Sequence, residues 1–174
     1  MFNSFKELES LLVFDKALLV HSTSVVLDGG GFLFSGNSGS GKTTLSKKMG
    51  DFFPIIHDDR NLLIFEDEKI ELVVPEFLQK LKTHHYIQNN NLKAPLKRFF
   101  ILKQEFVKNS YIQKIENRDV LWEFLFKVSP MPQKKELLKN YYALIDRLSK
   151  ELDAFHFFHN LKDSAIKISE IIRK

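Results

Sequence analysis

Apolar and polar positions change period several times along the chain, and each change marks an element. Ser4-x-x-Glu7 is a capping-box pattern, with Phe5, Leu8 and Leu12 at helical spacing, so a short opening helix is expected within 1–16. From Ala17 the texture turns to β. ALLVHSTSVVLDGGGFLFSG predicts strands over Leu19–Leu27 and Phe32–Phe34, joined by a tight turn in which the glycines of DGGG supply positive φ. KTTLSKKMG then predicts a short helix with Leu45 and Met49 inward and Gly50 as its stop. Strand-like segments follow at FFPIIH, NLLIFED and KIELVVP. FLQKLKTHHYIQNNNLKAP reads as a helix that decays into a polar loop. KRFFILKQ has a continuous apolar run, as expected of a strand buried on both faces.

A short strand is expected at Tyr111–Ile115 and a helix at Arg118–Val128, ahead of a Pro-Met-Pro break. The strongest amphipathic pattern is Lys134–Leu152, where Leu137, Leu138, Tyr141, Leu144, Ile145, Leu148 and Leu152 keep to one face. DAFHFFHN predicts a last strand, and Asp163 a cap for the final helix. No repeat or linker interrupts this order, which predicts a single α/β domain over 1–174 with a mixed sheet, flanking helices and a mostly helical C-terminal half.

Composition narrows the class. The chain has 174 residues, 44% of them hydrophobic and 17 of them Phe, enough for one sizeable core. Lys and Arg number 26 against 22 Asp and Glu, a net charge of +4, too weak to signal a nucleic-acid binder but compatible with anionic ligands. The absence of cysteine excludes disulfides, thiolate zinc sites and thiol chemistry. MFNSFKELES lacks an apolar h-region and no apolar run approaches ~20 residues, so neither a signal peptide nor a membrane span is expected. A cytoplasmic protein is the expectation.

The candidate chemistry lies in one place. Three of the seven glycines fall at Gly36, Gly39 and Gly41, and Gly36-x-x-x-x-Gly41-Lys42-Thr43 fits the P-loop pattern between an expected strand and an expected helix. Several backbone N–H groups must reach one phosphate at once, and Cβ atoms would obstruct that approach. The helix that follows points its positive end at the anion. The expected binding residues are Gly36, Asn37, Ser38, Gly39, Ser40, Gly41, Lys42, Thr43 and Thr44. Lys42 would bring charge to the β- and γ-phosphates, and the Thr43 hydroxyl would take Mg²⁺. Asp58-Asp59 close an apolar strand-like segment sixteen residues after Lys42. Phosphoryl transfer needs one carboxylate on Mg²⁺ and, for a hydroxyl acceptor, often another as base; neighbours on a strand face opposite ways and can divide these tasks.

"LLVHSTSVVLDGGGFLFSGNSGSGKTTLS" followed by "PIIHDD" resembles the catalytic domain of HPr kinase/phosphorylase and its shorter relatives. The "SGSGKTTLS…DD" part is also similar to the nucleotide site of ATP-dependent phosphoenolpyruvate carboxykinase. The specific motifs span about Leu19–Asp59; beyond them the likeness is of element order. The resemblance implies a domain of the HPr kinase/carboxykinase type, with a nucleotide-binding β-rich core over 17–75 and a substrate- or partner-facing half over 76–174. It implies Asp58 as catalytic carboxylate, His21 as its assistant and Asp59 nearer the metal, although the two aspartates can exchange roles. It further implies ATP, with GTP possible, and Mg²⁺. The acceptor would be a serine or threonine of a protein or peptide, or a small hydroxylated metabolite, and a homo-oligomer is possible. A nucleotide-driven switch or assembly subunit without a phosphoacceptor is the rival expectation.

Other features have plainer readings. Arg60 either braces the γ-phosphate or balances the two carboxylates. His84-His85 make a poor metal pair without further ligands. His156 and His159 are expected on opposite faces of a strand, as core or surface. Trp122, Phe124 and Phe126 are expected to pack, and Arg98 could approach phosphate from a strand start.

Overall fold

The computed structural model describes residues 16–67, 69–73, 93–103, 105 and 107–174. The expected N-terminal helix, the helix begun at Phe77 and the pair His84-His85 lie outside them. Asp28 and Gly29 set the first pairing. Both have positive φ, 51° and 74°, the twist that lets two strands join through two residues. They connect β1 (Ala17–Leu27) to β2 (Gly30–Ser35), both longer than their apolar runs suggested.

β1 is long enough to serve two partners. Its first half, Ala17–His21, pairs antiparallel with β3 (Arg60–Phe65), and its second half, Ser22–Leu27, pairs with β2. β3 continues to β4 (Ile70–Val73), and β4 to the start of β5 (Lys93–Lys103). The rest of β5 runs parallel to β2 on one edge and to β7 (Ala154–Phe158) on the other, and β6 (Tyr111–Lys114) closes the sheet against β7. Because β2 also meets β5, the strands β2-β1-β3-β4-β5 form a closed ring.

Period-two alternation along β5 divides its side chains between two cores. Phe99 and Ile101 join Leu33, Leu121, Leu125, Tyr141 and Ile145 on the side of α2 (Arg118–Val128) and α3 (Leu138–Glu151). Phe100 and Leu102 join Phe34, Leu45, Met49, Phe157 and Ile168 on the side of α1 (Lys42–Gly50) and α4 (Ala165–Arg173). Burial on both faces is why KRFFILKQ carries no polar alternation. Trp122 and Phe126 stack with centroids 5.6 Å apart against the first core, which makes them packing residues, as expected. The C-terminal half carries the three strands expected of it. It supplies β5, β6 and β7, so the sheet that carries the site is built from both halves of the chain. No helix among the described residues is long and apolar enough to cross a membrane.

Two expectations fail for local reasons, and a third holds by another geometry. FFPIIH forms no regular strand, only the bridge Val25↔Ile55, although the carbonyls of Pro54 and His57, and of Asp59 beyond it, accept from β1 at Val26, Ser24 and Ser22. Its amides go elsewhere than to a sheet: Phe52 and Phe53 N–H donate to Met49 O at the end of α1 and His57 N–H to Ser24 Oγ, and just beyond it Asp59 N–H donates to His57 Nδ1. Gly50 is the last residue of α1, as expected, although it does not turn left-handed and the chain leaves through Asp51 at φ −69°. Asp163 does not cap α4. Ser164 does, accepting from Lys167 N–H, while the Asp163 carboxylate accepts from Ser110 N–H and Lys167 Nζ, bonds that hold its pKa down at about 2.

Candidate functional site

β2 ends at Ser35, α1 begins at Lys42, and the glycine-rich loop joins them with Gly39 and Gly41 at φ 78° and 95°. Gly41 is doubly constrained. A Cβ there would sit in the left-handed region and 2.8 Å from His159 Nε2. Gly36 lies over Ser40, whose Oγ would be 2.5 Å from a Cβ at that position. Ser40 is buried and its hydroxyl has no hydrogen-bond partner. An orphaned hydroxyl inside a glycine-rich loop at a helix N-terminus suits an incoming anion. Lys42 is 8% exposed and donates to the carbonyls of Gly36 at 2.7 Å and Asn37 at 3.2 Å. Burial lowers its pKa, and Asp59 opposes the shift.

His21 ends the part of β1 that pairs with β3, directly across from Arg60, and its carbonyl accepts from Ser35 Oγ at 2.6 Å. One bond thus ties the candidate histidine to the start of the loop. The expected partnership of His21 with Asp58 is not formed. His21 Nε2 instead lies 2.8 Å from Asp59 Oδ1, and Arg60 Nε is 3.4 Å from Asp59 Oδ2. Asp58 and Asp59 both line a cavity of about 310 Å³ with His21, Lys42, Thr43, Thr44 and Ser38–Gly41. All the expected site residues except Gly36 and Asn37 therefore share one wall. Gly36 is buried beneath the loop, and Asn37 faces a different cavity.

The sequence reading passed over His57. It is 2% exposed, and its Nδ1 accepts from the amides of Asp59 at 3.1 Å and Arg60 at 3.0 Å, which fixes the turn that presents both aspartates. Asp58 Oδ1 is 3.7 Å from the same nitrogen, but a nitrogen already accepting two protons cannot also donate, so this is proximity and not an ion pair. Asn61, fully buried, completes the scaffold: its Oδ1 accepts from Ser24 Oγ at 2.6 Å, and its Nδ2 donates to Ser22 O at 2.7 Å. A buried Asn and a buried His flanking two acids were the available sequence signal.

Burial also pushes the His57 pKa below its usual value, the Asp58 and Asp59 carboxylates opposing and Arg60 adding to the shift. His156 and His159 shift the same way by burial. With folded values depressed, the unfolded chain takes up protons first as pH falls below about 6.5, so stability is lost from there downward. Urea midpoints between pH 7.5 and 5.5 should show this loss. In His57→Asn, whose amide oxygen can accept in place of Nδ1, the loss should be smaller. In His57→Ala, neutral stability should fall by about 1–2 kcal/mol, because two amides lose their acceptor.

The remaining candidates lie elsewhere. Arg98 pairs with Asp153 at 3.1 Å and donates to Ile172 O, and makes no approach to the loop. His156 sits in β7; His159 lies just past the strand end, under Gly41, with both ring nitrogens buried and unpartnered. Two further cavities adjoin the first. One of about 590 Å³ shares Gly39, Ser40, Gly41 and Thr44 with it and is completed by Val107, His159 and Leu161. Another of about 410 Å³ shares His21 and Asp59. Among the described residues, no three His, Asp or Glu side chains gather as a metal cage. Thr43, Asp58 and Asp59 on one cavity wall do fit Mg²⁺, which needs only one or two carboxylates when phosphate oxygens and waters complete its shell.

Among solved structures, the chain is similar to the HPr(Ser) kinase/phosphatase from Coxiella burnetii, with 14% sequence identity, 89% of this chain and 93% of that chain covered, and a TM-score of 0.49. No protein-family model and no curated protein matches the chain. The functional reading therefore rests on the site's own residues.

Proposed function

We propose that the protein is a Mg²⁺-dependent kinase that moves the γ-phosphoryl group of ATP, or of GTP, to a hydroxyl acceptor. The observation that carries this reading is the shared wall: glycine-rich loop, Lys42, Thr43, Asp58 and Asp59 line one cavity at the N-terminus of α1. The β- and γ-phosphates would lie on the amides of Ser38–Thr44, with Lys42 turning from the Gly36 and Asn37 carbonyls to the phosphate oxygens. The nucleoside would extend past Thr44 into the 590 Å³ cavity, between His159 and Leu161.

The cavity walls support exchanging the roles the resemblance implied. Asp59 belongs to both the phosphate cavity and the 410 Å³ cavity beyond, whereas Asp58 faces the phosphate cavity. On this reading Asp59, held by His21, is the base between donor and acceptor, and Asp58 with Thr43 would hold Mg²⁺. Mg²⁺, when bound, would neutralise phosphate charge. The protein's remaining work is positioning and proton removal. The test is thermal stability with Mg-ATP and Mg-GTP, followed by transfer of γ-³²P to a hydroxyl compound. A nucleotide-dependent rise with label accumulating only as inorganic phosphate would favour a switch or assembly ATPase. No rise with either nucleotide would overturn both.

A further inference from the structure

Three cavities run in series. The 590 Å³ cavity meets the phosphate cavity along Gly39–Gly41 and Thr44, and the phosphate cavity meets the 410 Å³ cavity at His21 and Asp59. The two outer cavities have no wall residue in common, and each adjoins the phosphate cavity. The far end has its own chemistry. Arg60, from the start of β3, and Lys127, from the last turn of α2, both line it, and Leu19, Val128 and Pro130 supply apolar wall. Asp59 already faces Arg60, but Lys127 has no ion-pair partner among the described residues. Ser129 completes the wall. It is 4% exposed, its amide donates to Leu125 O, its carbonyl accepts from Tyr141 Oη at 2.8 Å, and its hydroxyl is buried with no partner. A buried hydroxyl left unpaired costs stability that a ligand atom can restore.

Resting on the kinase reading above, we infer that this 410 Å³ cavity receives the acceptor, and that the acceptor is a small hydroxy compound carrying an anionic group, carboxylate or phosphate. A cavity of this size encloses a small molecule. Its two cations match an anion, and its carboxylate, Asp59, stands on the side of the phosphates. The acceptor O–H gives its proton to Asp59 as its oxygen bonds the γ-phosphorus. The bond from that phosphorus to the β,γ-bridging oxygen breaks, and the nucleoside diphosphate leaves. A further cavity that reaches the loop through Asn37 and Ser40 also has Lys127 on its wall, but it contains none of His21, Asp58 or Asp59, and so offers an acceptor no base from that set.

The test uses the full chain saturated with Mg-AMPPNP, titrated with glycerate, glycerol 3-phosphate, glycerol and an uncharged serine tripeptide, with the melting temperature as readout. Glycerate or glycerol 3-phosphate should bind about tenfold or more tightly than glycerol, the worth of one charge-assisted contact, and the stronger of the two names the anionic group. Lys127→Glu, likewise saturated with Mg-AMPPNP, should lose that preference. Equal responses to glycerol or the tripeptide, an anion response that survives in Lys127→Glu, or no response to any compound would overturn the inference. If Mg-AMPPNP itself gives no stabilisation, the kinase reading has failed first, and the two failures are distinct.

Discussion

Asp59→Asn should lower single-turnover phosphoryl transfer by about 10²–10⁴-fold while leaving nucleotide stabilisation in place. The amide keeps the shape and can still accept from His21 Nε2, now 2.8 Å from Asp59 Oδ1, but it cannot take a proton from an attacking hydroxyl. The loss should therefore fall on the transfer rate and spare nucleotide binding. Asp58→Asn should behave differently. Its carboxylate is assigned to the metal, so its loss should raise the Mg²⁺ concentration needed for half-maximal rate. His21→Ala, which removes only the support of Asp59, should cost less than Asp59→Asn. Rates measured with labelled ATP over a Mg²⁺ series separate the three. A collapse of transfer in Asp58→Asn that Mg²⁺ does not restore, with Asp59→Asn active, would return the roles to those the resemblance implied.

The reason the orientation of the two aspartates could not be read from sequence is physical. Two adjacent acids in an extended segment face opposite ways, but which way is decided by the turn between FFPIIH and β3. That turn is set by His57 Nδ1 taking two amides, a long-range consequence of burying His57 beside Ser24 and Asn61. No local periodicity encodes it. His159 is a similar case. Its spacing from His156 suggested a strand position, yet β7 stops at Phe158, and the next residue is placed by the approach of Gly41 and by Lys48, which donates to the carbonyls of Leu161 and Asp163.

What was legible followed from chemistry that acts over a few residues. The tight turn at Asp28-Gly29, the positive φ of Gly39 and Gly41, and the start of α1 at Lys42 are local backbone demands with glycine signatures. The two-sided burial of β5 showed in its unbroken apolar run, and α2 began and ended where its pattern did. The ring of strands was not legible, because nothing in β1 announces that it changes partner at His21, or that β2 and β5 meet in parallel. The basic cavity at the end of α2 was missed for the same reason: Arg60 is far in sequence from Lys127 and Ser129 and meets them only in the fold.

Lys42→Ala should abolish nucleotide stabilisation while changing the free protein little. In the ligand-free chain the ammonium is buried, its proton affinity lowered by that burial, and its compensation is two loop carbonyls and the charge of Asp59. Removing it forfeits those bonds but also the cost of holding a charge out of water, so unfolding without nucleotide should shift by only about 1 kcal/mol in either direction. With phosphates on the loop the balance changes. The ammonium then faces anionic oxygens at the N-terminus of α1, and nothing else in the loop carries a full positive charge. At a thousandfold excess of Mg-ATP over Kd, wild type should gain about 4.1 kcal/mol, a rise in melting temperature on the order of 10 °C. Lys42→Ala should gain almost none of it, and Lys47→Ala, on the exposed face of the same helix, should match wild type. An equal rise in Lys42→Ala would mean that the nucleotide binds away from the glycine-rich loop, and the cavity walls that order donor, base and acceptor would lose their meaning together.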